Sequence, residues 1–83
     1  MDQIKTSKLQ RTRIAHDLSQ SQLAKAAGIN PRMLQYYEQG ANDLSSAKLA
    51  TLLKLCLALG CKLEDILPDG ETAALLDRYK ATL

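Results

Sequence analysis

Phenylalanine and tryptophan are absent from this 83-residue chain, and three tyrosines are its only aromatic residues. A hydrophobic core must therefore be built from leucine, isoleucine, alanine and tyrosine. No apolar run approaches the roughly 20 residues that a membrane-spanning helix needs, and the opening MDQIKTSK stretch has none of the apolar character of a signal peptide. The simplest expectation is a cytoplasmic protein that makes no membrane contact. Cysteine is limited to Cys56 and Cys61, which flank Ala58-Leu59-Gly60 at a spacing that suits no metal site. Buried free thiols are expected in preference to a disulfide. The single histidine, His16, falls near the end of a helical segment, where it suits the negative end of the helix dipole. Also missing are paired carboxylates on a concave site, a nucleophile and base at recognisable spacing, and a glycine-rich phosphate loop. An enzyme is thus the weakest reading, and no cofactor, metal or small-molecule ligand is expected.

What the chain does contain is helix punctuation. Residues 19–40, SQSQLAKAAGINPRMLQYYEQG, spell two short helices, each with its own start and stop signals. Ser19 is placed to accept a bond from an amide of the first turn, and Gln22, three residues on, can reach back to complete a capping box. Leu18 and Leu23 form a hydrophobic staple around that cap. The pattern then repeats. Gly28 supplies a left-handed helix end, Asn30 caps the second helix, Pro31 occupies its first position, Ile29 and Leu34 make a second staple, and Gly40 stops it. Two punctuated helices joined only by Gly-Ile-Asn make a helix-turn-helix.

The remaining chain reads as helical too. Segments are expected at about residues 7–17, 20–27, 31–39, 46–59, 63–67 and 70–81, with Asp69 capping the last and residues 41–45 irregular. This predicts an all-α fold, a compact bundle of five or six helices forming one domain over residues 1–83. Charge is unevenly divided. Residues 1–40 hold six Lys/Arg against three Asp/Glu, a net of +3, whereas residues 41–83 hold five against six, a net of −1. The positive charge accompanies the motif, as expected of a small DNA-binding face.

The segment resembles the phage-repressor and Cro type of helix-turn-helix, the XRE-like family. The likeness is carried by Leu18-Ser19-Gln20, Leu23-Ala24, Gly28, Leu34, Tyr37-Glu38 and Gly40, and it continues through Ala58-Leu59-Gly60 to Leu63-Glu64-Asp65-Ile66-Leu67. It implies a sequence-specific double-stranded-DNA-binding transcriptional regulator, a repressor that occupies a near-palindromic operator as a homodimer. On the second motif helix, Leu34 and Tyr37 share one side, while Arg32, Gln35, Tyr36 and Gln39 fall at i, i+3, i+4 and i+7 on another. The family docks this second face into the major groove. Arg32 and Gln35 are therefore expected to read base edges, with Tyr36 and Pro31 beside them, since arginine matches a guanine edge and glutamine an adenine edge.

Backbone phosphates are assigned to Gln20, Met33, Gln39, Arg11 and Lys25. Gln20 matches the family's phosphate-binding glutamine at a helix N-terminus, and Ser19 with Gln22 leave it free of capping duty. Arg13 lies four residues after Leu9 on the core side of the first helix, where a guanidinium requires a partner. The family pattern supplies Glu38. The sequence departs from the pattern in two places. The loop Ala41-Asn42-Asp43-Leu44-Ser45-Ser46 contains an acid where many relatives carry bases, which implies weaker phosphate binding. The fourth helix is apolar nearly all round, so Leu53 and Leu57 need a cover. That cover is either the stripe Leu75, Leu76 and Tyr79 of the last helix or a second copy of the chain. The rival reading keeps the fold and makes the chain an antitoxin-like interaction subunit, its leucines binding a toxin-like protein partner.

Overall fold

Local hydrogen bonds define where the helices begin. The computed structural model describes residues 6–83, and within them runs α1 (Lys8–Ala15), α2 (Gln20–Ala27), α3 (Pro31–Gln39), α4 (Leu49–Leu59), α5 (Leu63–Ile66) and α6 (Glu71–Lys80). No strand occurs among the described residues. The polar N-terminal stretch considered for a signal peptide lies, as far as Lys5, outside them. Ser7 caps α1 by accepting the Gln10 N–H at 3.0 Å. The capping box of α2 is complete: the Gln22 N–H reaches Ser19 Oγ at 3.0 Å and the Ser19 N–H reaches Gln22 Oε1 at 2.8 Å. Both motif helices have the bounds that their punctuation predicts.

The first helix is shorter than its sequence pattern suggests, because Asp17 takes a left-handed backbone (φ 57°). The turn closes when the Leu18 N–H bonds the Arg13 carbonyl at 3.2 Å, a Schellman closure made without glycine. The fourth helix starts at Leu49 rather than Ser46. Asp43 accepts the Ser45 N–H at 3.0 Å and caps a separate 3-10 turn, Leu44–Ser46. Ala47 then extends, and the helix has to begin afresh. Asp69 does not cap α6. Gly70 takes the N-cap position, and the Asp69 carboxylate lies 3.4 Å from Lys8 Nζ.

Leucine dominates the core. Leu9, Leu23, Leu34, Leu55 and Ile66 are fully buried, and Ala24, with no exposed surface, lets neighbouring helices approach closely. Of the three tyrosines only Tyr37 packs against this core. α2 lies against α3 and α4, and α1 against α3 and α5. The last carbonyls of a four-residue helix have no partner within it. Side chains of α1 supply them: Thr12 Oγ1 donates to the Asp65 carbonyl at 3.1 Å and Lys8 Nζ to that of Glu64 at 3.4 Å.

The sixth helix has no fully buried residue. Leu76 is half-buried against the core, and a Lys80–Glu64 bridge ties its end to α5. Its stripe does not cover the apolar edge of α4. Leu57 is 83% exposed, Leu53 46% and Leu49 62%, while Leu75 and Tyr79 are also exposed. A groove of about 300 Å³ remains between Leu49, Leu63, Leu67, Leu75, Leu76 and Tyr79. No helix among the described residues is long and apolar enough to cross a membrane.

Cys56 and Cys61 are free thiols at the end of α4. They are the contact pair of its closing turn, in which the Cys61 N–H bonds the Cys56 carbonyl at 3.1 Å around left-handed Gly60. Burial pushes both thiols up, and the Cys61 thiol reaches about 12 with Cys56 beside it.

Two outcomes follow from these turns. Asp17→Gly removes left-handed strain and an unfavourable charge at a helix C-terminus, effects that exceed the added freedom of the unfolded chain. A net gain of about 1 kcal/mol is expected, read as a rise in Tm of roughly 4–8 °C. For Cys61, the unfolded chain releases the thiol proton near the ordinary value of 9.0, while the folded chain holds it to about 12. Its contribution to stability is whole below the lower value and declines across that window as pH rises. Thermal melts from pH 8 to 11 should therefore show a shallower loss of stability in Cys61→Ala than in the wild type.

Candidate nucleic-acid interface

The turn between α2 and α3 sets the presentation of α3. Gly28 takes the left-handed conformation (φ 70°), and the Ile29 N–H closes on the Ala24 carbonyl at 3.0 Å. Asn30 then accepts the Arg32 N–H at 2.8 Å, with Pro31 at the first helical position where no N–H is needed. α3 begins three residues after the glycine. Its inner side is engaged throughout: Leu34 has no exposed surface, Tyr37 is half-buried, and Glu38 is 5% exposed.

The outer side is open. Pro31, Arg32, Gln35, Tyr36 and Gln39 are all exposed, and the last four form one polar ridge along the helix. Among the described residues no side chain of this ridge makes a hydrogen bond or an ion pair, so its donors and acceptors face solvent. Met33 is half-buried. Arg11 and Lys25 are exposed on α1 and α2, and no cavity among those described joins them to the ridge.

Beneath the ridge, one carboxylate gathers three segments. Arg13 donates from Nε to Glu38 Oε2 at 2.7 Å and from Nη2 to Glu38 Oε1 at 3.0 Å, a two-pronged pairing in which both residues are at least nine-tenths buried. Arg13 Nη1 also donates to the Leu18 carbonyl at 2.8 Å, bracing the turn from α1 to α2. Gln20 is not free, contrary to the expectation that capping by its neighbours would leave it so. Its Nε2 donates to Glu38 Oε1 at 2.9 Å. The reason is tertiary: folding brings the start of α2 against the last turn of α3, where the carboxylate has an open lone pair. One amide hydrogen and the carbonyl oxygen of Gln20 still point elsewhere. No buried side-chain polar atom among the described residues lacks a partner.

Two further side chains lie beside the ridge. Asn30 and Asn42, together with Arg32, Met33 and Tyr36, line a shallow depression of about 320 Å³. Asn42 is invisible to helix periodicity, because it lies in the loop after α3. The available signal is Gly40, whose left-handed backbone (φ 80°) turns the chain back toward its own helix. The acid of that loop has a local task. Hydrogen bonds from the Ser45 hydroxyl and backbone amide hold the Asp43 carboxyl below the usual carboxylate range.

A helix-turn-helix family model matches residues 9–66. The match begins at Leu9 and ends at Ile66, both among the fully buried side chains, and it leaves α6 outside. No curated protein and no solved structure gave a significant match.

Removing one partner of the buried pair strands the other charge, at a cost of about 3–5 kcal/mol. A chain of this size has a total stability of only about 4–12 kcal/mol. Arg13→Ala is therefore expected to lower the urea midpoint steeply, and Arg13→Lys to lower it less, since an ammonium keeps the charge without the fork. The double variant Arg13→Met/Glu38→Leu should recover much of the loss. Equal midpoints for wild type and Arg13→Ala would show that the pair does not hold the helices together.

Proposed function

Because the chain belongs to the phage-repressor and Cro type of helix-turn-helix family, a family of DNA-binding regulators, we propose that it recognises a specific double-stranded DNA sequence and represses transcription from it. The observation that carries this reading is the unbonded polar ridge of α3, held outward by a helix whose other side is fully engaged. An α-helix fits the major groove, where each base pair presents its own pattern of donors and acceptors. Arg32 pairs with a guanine edge, Gln35 with an adenine edge, and Tyr36 meets a thymine methyl or a phosphate next to Pro31. Gln39, Met33, Arg11 and Lys25 serve the phosphate backbone. Gln20 joins them through the amide hydrogen that Glu38 does not take.

The exposed apolar edge of α4 supports a homodimer. A second copy would cover Leu53 and Leu57 of α4 together with Leu75 and Tyr79 of α6, all of them exposed. Two-fold pairing sets two recognition helices about one DNA turn apart, roughly 34 Å, and calls for a near-palindromic operator. The same leucines favour a second reading, an antitoxin-like subunit whose partner is a different protein. Sedimentation separates the two: a dimer at micromolar concentration that Leu57→Glu dissociates supports the first.

Selection from a random DNA pool tests the main reading. The wild type should enrich a symmetric site that it still binds near physiological salt. Arg32→Ala should lose about 1–3 kcal/mol of discrimination at one base pair of each half-site. A pool that yields no consensus would refute sequence-specific recognition.

A further inference from the structure

Besides the cap residue Asn30, the outer side of α3 is joined by one polar side chain that the helix itself does not supply. After Gly40 reverses the chain, Asn42 donates its backbone N–H to the Tyr36 carbonyl at 3.2 Å. That bond ties the loop to the middle of α3, so the loop travels with the recognition helix. The side chain of Asn42 is exposed and shares the depression of about 320 Å³ with Arg32, Met33 and Tyr36. Its carboxamide makes no hydrogen bond among the described residues. Asn30, which also lines the depression, already uses its oxygen to cap α3.

We infer that Asn42 is a specificity-determining residue that reads an adenine edge in the major groove, next to the base pair met by Arg32. The inference rests on the docking of α3 proposed above. An asparagine carboxamide offers one donor and one acceptor side by side, the complement of adenine N7 and its N6 amino group. A phosphate is the poorer match. Asn42 carries no charge, and the neighbouring Asp43 carboxylate, ionised and exposed, repels the DNA backbone. The bond to Tyr36 also fixes the backbone of Asn42 before DNA arrives, which lowers the ordering cost of a loop contact.

Parallel selections with the full chain test this, using a random duplex pool and wild type, Asn42→Ala and Asn42→Asp, with circular dichroism checking the fold of each. The wild type should show an adenine preference at one base pair that Asn42→Ala loses by on the order of tenfold or more. Preferences elsewhere, and the slope of log affinity against log salt, should stay unchanged. Asn42→Asp keeps the shape but only accepts hydrogen bonds, so it should shift that position toward cytosine, and it carries the test alone if the alanine variant fails to fold. An unchanged consensus in both variants would overturn the inference. So would a uniform loss of affinity with a shallower salt slope, the mark of a phosphate contact. Failure of the wild type to select any consensus would overturn the DNA-recognition reading itself, a result distinguishable because it precedes any comparison of variants.

Discussion

The carboxylate of Glu38 is the point on which the arrangement of the first three helices turns. Each of these helices has only eight or nine residues, too short to persist alone in water. Their mutual orientation has to come from contacts between them. Apolar packing brings them together but tolerates sliding. A guanidinium and a carboxylate joined by two parallel bonds do not, because sliding would leave a buried charge without its partner. Arg13 adds a bond to the Leu18 carbonyl and Gln20 adds one to Glu38, so α1, the turn after it, α2 and α3 meet at a single fully paired cluster. The outward angle of the α3 ridge follows from that cluster. A surface that reads base edges needs such rigidity, since hydrogen bonds to a groove tolerate little misplacement.

The leucine-rich composition has consequences at both ends of the molecule. Around the motif, Leu9, Leu23 and Leu34 with Ala24 and Ala27 fill the space between closely approaching helices. Beyond it the supply of apolar side chains exceeds what one chain covers. Leu49, Leu53 and Leu57 lie along one edge of α4, and α6 gives up only Leu76 to the core. The family match stops before α6. The helix and the apolar edge thus form a part of the molecule distinct from the polar ridge of α3, and it is there that the exposed leucines gather.

The loop after α3 places an acidic residue next to the polar ridge without turning its charge outward unpaired. Asp43 is turned to the amide and hydroxyl of Ser45, where it starts the 3-10 turn that carries Leu44 into the core. Its charge organises the loop, and Asn42 beside it supplies the neutral polar group. The same capping explains why α4 begins three residues after the point that its leucine periodicity suggests.

Sequence alone determined the punctuated part of this protein. The bounds of α2 and α3 were legible because the signals that create them, Ser19 with Gln22, Gly28, Asn30 with Pro31, and Gly40, act across three or four residues and hardly depend on the rest of the fold. Helical periodicity likewise separated the inner side of α3 from its polar ridge. Arg13 was readable as a core-facing charge in need of a partner, and the family pattern identified Glu38. Tertiary structure alone decided that Gln20 would also bond Glu38, eighteen positions away, that Asn42 would come alongside Tyr36, and that α6 would leave Leu53 and Leu57 uncovered. Each of these depends on how helices cross, an outcome of packing summed over the whole core, and no short stretch of residues encodes it.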